Sequence, residues 1–173
     1  MNTKIIFALL CIFSIMSLRG QDVIEFSKDN SSIYNGRYDT IDGRKAFAGI
    51  AVLKDKSFGD GIIEWDMWAS GGRSYAGVIF HHQDSRDSEE FYVRPHKGNG
   101  LFPDAFQYTP VYHGISCWQL SHGDGGTQAA SIPAKEWIHF KLEIYKGRAR
   151  VTMFTDKPVS MNINRLWHGD IKG

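Results

Sequence analysis

An all-β sandwich or barrel is predicted by three observations. Apolar and polar residues alternate with period two over long stretches, glycine-rich turns interrupt them at roughly ten-residue spacing, and no amphipathic stretch is long enough for a helix. Strands with one dry face require that alternation, because successive side chains point to opposite sides of a pleated ribbon.

The elements follow in order. Lys4 precedes an apolar run from Ile5 to Met16, closed by Ser17, Leu18, Arg19 and Gly20. A basic start, a short apolar stretch and a small residue before Gln21 describe an export signal at 1–20, leaving one domain at 21–173. The run is too short and too soon polar for a membrane span, although an uncleaved anchor is the alternative. Strands are expected at Val23–Phe26, Phe47–Leu53, Ile62–Trp68, Ser74–His82, Glu89–Arg94, Phe106–Val111, Ser116–Leu120, Trp137–Tyr145 and Arg148–Thr155. In Ile62–Trp68, the residues Ile63, Trp65 and Met67 face one way while Glu64 and Asp66 face the other. In Trp137–Tyr145 the apolar set is Ile138, Phe140, Leu142 and Ile144. Lys146-Gly147 marks a tight hairpin between the last two strands, and Asn162–Trp167 a single short turn.

Composition narrows the function. The formal net charge is +1, and losing Lys4 and Arg19 with the signal makes it slightly acidic, so no basic surplus exists to neutralise phosphates and nucleic acid is excluded as a partner. Cys11 leaves with the signal. Cys117 remains alone, read as a small buried residue, so no internal disulfide is expected and stability must come from packing.

The succession Asp60-Gly61-Ile62-Ile63-Glu64-Trp65-Asp66, then Tyr75-Ala76-Gly77-Val78-Ile79-Phe80, then Trp137 through Ile144 with Gly147, resembles the laminin-G-like and concanavalin A-like jelly rolls. More narrowly it is similar to secreted bacterial domains labelled 3-keto-disaccharide hydrolase-like or glycoside-hydrolase-16-like. The resemblance covers roughly residues 45–160. It implies two stacked antiparallel sheets, and in many members a concave face that meets carbohydrate. Such domains usually add a strand or two beyond the point where this chain stops at Gly173. Either a C-terminal strand is missing or the strand at Val23–Phe26 closes the sandwich.

The run from Phe91 to Leu120 is the most unusual part of the chain. It holds Phe91, Tyr92, Phe102, Phe106, Tyr108, Tyr112 and Trp118 among Arg94, His96, Asp104, His113 and three prolines. Rings cover the C–H faces of a sugar while planar polar groups fix its hydroxyls, so this composition suits carbohydrate. Tyr92, Arg94 and His96 share the face opposite Phe91 and Val93, and Pro95 ends the ladder beside them. Arginine supplies a rigid donor fork, tyrosine a ring with a hydroxyl, and histidine a ring that can gain or lose a proton. Asp104, Gln107, Tyr108 and Trp118 complete the expected ligand site. The competing reading is an Arg94–Asp104 ion pair that locks a crossover, with Tyr108 and Trp118 as packing.

Other chemistry is weaker. Glu64 and Asp66 are alternate carboxylates on one strand face, as in the Glu-x-Asp-x-Glu strand of related glycosidases, but the third acid would fall at Trp68 or Ala69. With His96 they are the only catalytic candidates, and a solvated polar face is the favoured reading. Asp84, Asp87 and Glu89 could offer oxygens to calcium, though Arg86 among them favours an exposed turn. His81 and His82 alternate across a strand, no zinc-ligand spacing occurs, and no cofactor is expected. The sequence therefore predicts a secreted or periplasmic jelly roll that binds carbohydrate, a glycan or polysaccharide; the alternatives are a glycoside hydrolase and a structural or adhesion module.

Overall fold

A computed structural model describes residues 22–84 and 86–168. The expected export signal at 1–20, with Cys11, lies outside the described residues. Two antiparallel sheets stack into a jelly-roll β-sandwich, and a two-stranded hairpin forms a third sheet. The chain runs β1 (Ser31–Ile41), β2 (Arg44–Leu53), β3 (Gly61–Ala69), β4 (Ala76–Asp84), β5 (Asp87–Val93), β6 (Phe106–Tyr112), β7 (Ile115–Ser116), α1 (Trp118–Ser121), β8 (Thr127–Gln128), β9 (Glu136–Tyr145), β10 (Arg148–Phe154) and β11 (Val159–Ile163). One layer is ordered β11-β10-β9-β3, the other β4-β5-β6-β7 with β8 also paired to β6, while β1 and β2 pair with each other.

The alternation read from sequence sets which side is dry. Ile138, Phe140, Leu142 and Ile144 of β9 are buried, as is Met67 of β3, and Phe91, Val93, Phe106 and Tyr108 face them from the other sheet. Phe140 is the hinge of this core. It stacks on Trp65 of the adjacent strand with centroids 5.3 Å apart and meets Phe91 at 6.5 Å and Phe106 at 6.1 Å, so one ring joins its own layer to two strands across the interlayer space. Burying each such ring contributes on the order of 2–3 kcal/mol, more than any surface pair in the molecule.

The expected Lys146-Gly147 hairpin is present, and a second turn of the same kind, not expected from sequence, joins the first two strands. Lys146 and Gly147 take φ of 48° and 67°, the paired left-handed conformation of a two-residue hairpin, and Asp42-Gly43 does the same between β1 and β2. Gly77 is required for a different reason. A Cβ there would strike the backbone of Phe91 and Tyr92, so only glycine lets β4 lie this close to β5.

Several expected elements differ. Val23–Phe26 forms no strand and does not close the sandwich. The first strand is instead Ser31–Ile41, whose register breaks between Tyr34 and Arg37 at a bulge holding Asn35 at φ 49°. Both faces of this hairpin are largely wet, with Tyr34, Tyr38 and Ile50 exposed, so no clean alternation marks it. The strand expected at Ser74–His82 is shifted to Ala76–Asp84 and bulges after Phe80, where His81 at φ 48° turns into the core beside it. Ser116–Leu120 is mostly helical: only Ile115–Ser116 pairs with β6, and the chain then coils as α1. Ser121 decides this, because its hydroxyl donates to the Tyr108 carbonyl at 2.8 Å and its own carbonyl receives the Gly126 amide at 2.9 Å. Asn162 and Ile163 end β11 rather than opening a turn.

Candidate functional site

The end of the five-stranded sheet gathers most of the predicted cluster. Phe91 and Val93 point into the core, so Tyr92 and Arg94 emerge on the outer side, and Pro95 starts a one-turn 3₁₀ helix, Pro95–Lys97, that carries His96 outward. The Asp104 carboxylate receives the Arg94 guanidinium and, at 2.5 Å, the Lys97 ammonium. Arg94 also donates to the Tyr92 hydroxyl at 3.2 Å. Burial would by itself raise the Asp104 carboxyl, but the Lys97 hydrogen bond and the charges of Arg94 and Lys97 outweigh it and hold it below the usual carboxylate range. The Arg94 and Asp104 side chains are only 12% and 17% exposed, so this pair is largely desolvated and braces the crossover between β5 and β6.

Tyr75 was not singled out by sequence, and it completes the group. The pairing of Gly77 with Tyr92 continues toward Tyr75 beside Arg94. The Tyr75 ring meets Tyr92 edge-on at 5.7 Å and His96 at 5.9 Å, with the Arg94 guanidinium 5.8 Å from its centroid. It is 55% exposed. Phe102, also exposed, lies 5.6 Å from the Lys97 ammonium and extends the ring surface along the following loop. Two tyrosines, a histidine and a phenylalanine thus surround a fixed knot of two cations and one anion. Such a surface can stack on sugar C–H faces and offer polar groups to hydroxyls.

Three predicted ligand residues lie elsewhere. Gln107 is fully buried: its amide donates to the Tyr108 and Gly126 carbonyls at 2.9 and 3.2 Å, because the chain leading into β8 folds over that part of β6. Tyr108 points inward, and its hydroxyl donates to Glu89 at 2.6 Å. Desolvation, reinforced by the Glu89 charge, pushes that phenol well up. Trp118 is partly exposed on α1, but its ring contact is with His122 at 6.2 Å, not with the Tyr75 group. Cys117, read as buried, is only partly so and donates its thiol to the Ile115 carbonyl at 3.3 Å.

The three acids considered for calcium part company. Asp84 accepts the Arg86 and Asp87 amides at 2.7 and 3.1 Å in a turn, and Asp87 accepts the His113 amide at 3.1 Å. Glu89 is sealed in the core, where the Tyr108 hydroxyl and the His168 amide reach it, the latter at 2.7 Å. Among the described residues no cluster of His, Cys, Asp or Glu is placed to hold a metal ion.

Glu64 and Asp66 do share the outer face of β3, as expected. They bracket His139 of β9, whose Nδ1 lies 2.8 Å from Asp66 and whose Nε2 lies 3.9 Å from Glu64. Arg44 of β2 pairs with Asp66 and covers the Trp137 ring at 4.3 Å. Burial opposes the shift, but the His139 and Arg44 hydrogen bonds hold the Asp66 carboxyl low. Trp68, at the place of a third acid, packs its ring on Trp137 at 5.7 Å. A concavity of about 390 Å³ between residues 22–25 and Leu53–Lys56 shares no lining residue with either group and has no aromatic lining.

No protein-family model and no curated protein matches this chain. Among solved structures it is similar to the carbohydrate binding module CBM66 from Bacillus subtilis, with a TM-score of 0.58 and 14% identity over 83% of each chain. At that identity the likeness establishes the fold, a jelly-roll β-sandwich.

Proposed function

We propose that this protein is an exported carbohydrate-binding jelly roll, and that it holds glycans through the outer end of the five-stranded sheet. Tyr75, Tyr92 and His96 are the contact surface, and the Arg94–Asp104–Lys97 knot fixes it. The observation that carries this reading is Tyr75. Its ring stands half in water against Tyr92 and His96, just before β4. The fold shared with a module described as carbohydrate binding adds support. The strand motifs also support a place among the concanavalin A-like jelly rolls, near the 3-keto-disaccharide hydrolase-like and glycoside-hydrolase-16-like domains. Export rests on residues 1–20, and N-terminal sequencing of protein recovered from outside the cytoplasm tests it.

Affinity electrophoresis through gels containing soluble polysaccharides tests the binding. Wild type should be retarded by at least one, and Tyr75→Ala should lose the retardation while keeping the wild-type thermal midpoint. Free migration of the wild type in every gel refutes the reading, as does undiminished retardation of the variant. Release of reducing ends from the retarding polymer would replace binding with hydrolysis.

A further inference from the structure

The outer face of β5 carries one more group, unused by the charged knot. Glu90 sits two residues before Tyr92 on the same face, about 7 Å along the strand. Ile79 of β4 and Thr109 of β6 lie opposite it, neither of them charged. Glu90 is partly buried, yet no described group donates to its carboxylate, and its oxygens keep some contact with solvent. Burial alone acts on it and raises its pKa above the usual carboxyl value. Among the described residues, the other carboxylates withdrawn from full exposure have partners. Asp87 accepts the His113 amide, Glu89 the Tyr108 hydroxyl, Asp104 the Lys97 ammonium and Glu143 the Lys141 ammonium.

A half-buried acid without a donor destabilises the fold it sits in. Such groups concentrate where a ligand supplies the missing hydrogen bonds. Resting on the carbohydrate reading above, we propose that Glu90 is the hydroxyl acceptor of this site and that the ligand is a neutral sugar presenting adjacent hydroxyls. Two carboxylate oxygens can accept from two neighbouring hydroxyls at once. The charges along the row favour a neutral ligand: Arg94 and Lys97 balance Asp104 and Glu90. A uronate would be repelled by Glu90, and an amino sugar would meet the two cations. Glu90, Tyr92 and Arg94 span two such steps on one strand face, about 13–14 Å, enough for a short oligosaccharide rather than one ring.

The test uses the full chain on gels of neutral glucan, xylan, mannan and fructan, with polygalacturonate and glycol chitosan as charged arms. Wild type, Glu90→Gln and Tyr75→Ala are compared, each with a thermal melt. The expected result is retardation of wild type by a neutral polymer and a tenfold or greater loss in Glu90→Gln, whose midpoint stays or rises because a desolvated charge has gone. Wild-type affinity should also fall between neutral pH and about pH 4, as the acceptor is protonated. If Glu90→Gln binds like wild type while Tyr75→Ala does not, the role of Glu90 is overturned and the carbohydrate reading stands. A markedly lower midpoint in Glu90→Gln makes Glu90 structural and overturns it too. Preference for a charged polymer removes the neutral ligand, and no retardation of wild type anywhere removes both proposals.

Discussion

The two outer faces of the sandwich are built from the same residue types and put them to different use. On the four-stranded sheet, Asp66 is held by Arg44 and His139, and Trp137 lies under Arg44 and against Trp68. On the five-stranded sheet, Asp104 is held just as firmly, but the Tyr75 ring is left half in water and Glu90 has no donor among the described residues. Charge and aromaticity alone therefore do not mark a site. What separates the faces is whether a carboxylate drawn partly out of water is already held by a neighbour, since an unheld one loses free energy that an outside donor restores.

The sharpest way to probe the contrast is through the two arginines. Arg94→Met leaves a largely desolvated Asp104 with only Lys97, and should cost about 3 kcal/mol in urea denaturation with an unchanged m-value. Arg94 is accordingly a brace, and its removal tests stability before it tests binding. A cost below that of its counterpart on the other face would erase the distinction.

Tyr75→Ala comes next in size, reducing glycan affinity by roughly tenfold, about 1.4 kcal/mol, with no change in the melt. The pH response follows. Asp104 holds its proton less readily folded than unfolded, so its pair stabilises fully above the ordinary carboxyl value of 3.8 and loses that contribution as pH falls through the lower folded value. Glu90 runs the other way. Its raised folded pKa makes it neutral in acid and destabilising once pH rises through that value. Wild type and Asp104→Asn should differ in stability at neutral pH and draw together as pH falls through the depressed folded value, measured by urea midpoints. The smallest effect is expected from Arg44→Met, about 0–1 kcal/mol and fading with salt, because that pair stands in solvent.

How much of this was legible depended on whether a residue's fate was decided locally. β3 and β9 alternate because one face of each is buried, and the Lys146-Gly147 hairpin is written in its own two residues. Tyr92 and Arg94 likewise followed from Phe91 and Val93 beside them. Gln107 did not, because the β8 segment from twenty residues downstream covers its face, which no alternation in β6 records. Tyr75 joins the site only through the pairing of β4 with β5, and Glu90 is exceptional for contacts it lacks. The wet hairpin β1–β2 escaped for the opposite reason, having no dry face to leave a pattern.

One consequence reaches beyond the surface. Leu166–His168 follow the last strand, yet the His168 amide ends on Glu89, the Trp167 amide on the Tyr108 hydroxyl at 3.1 Å, and the His168 ring on the Val111 carbonyl at 2.9 Å. Deuterium should therefore enter these amides as slowly as those of β5 and β6, although no ladder protects them. The tail behaves as a bolt through the middle of the sheet, and drawing it would release the strand that carries Glu90, Tyr92 and Arg94.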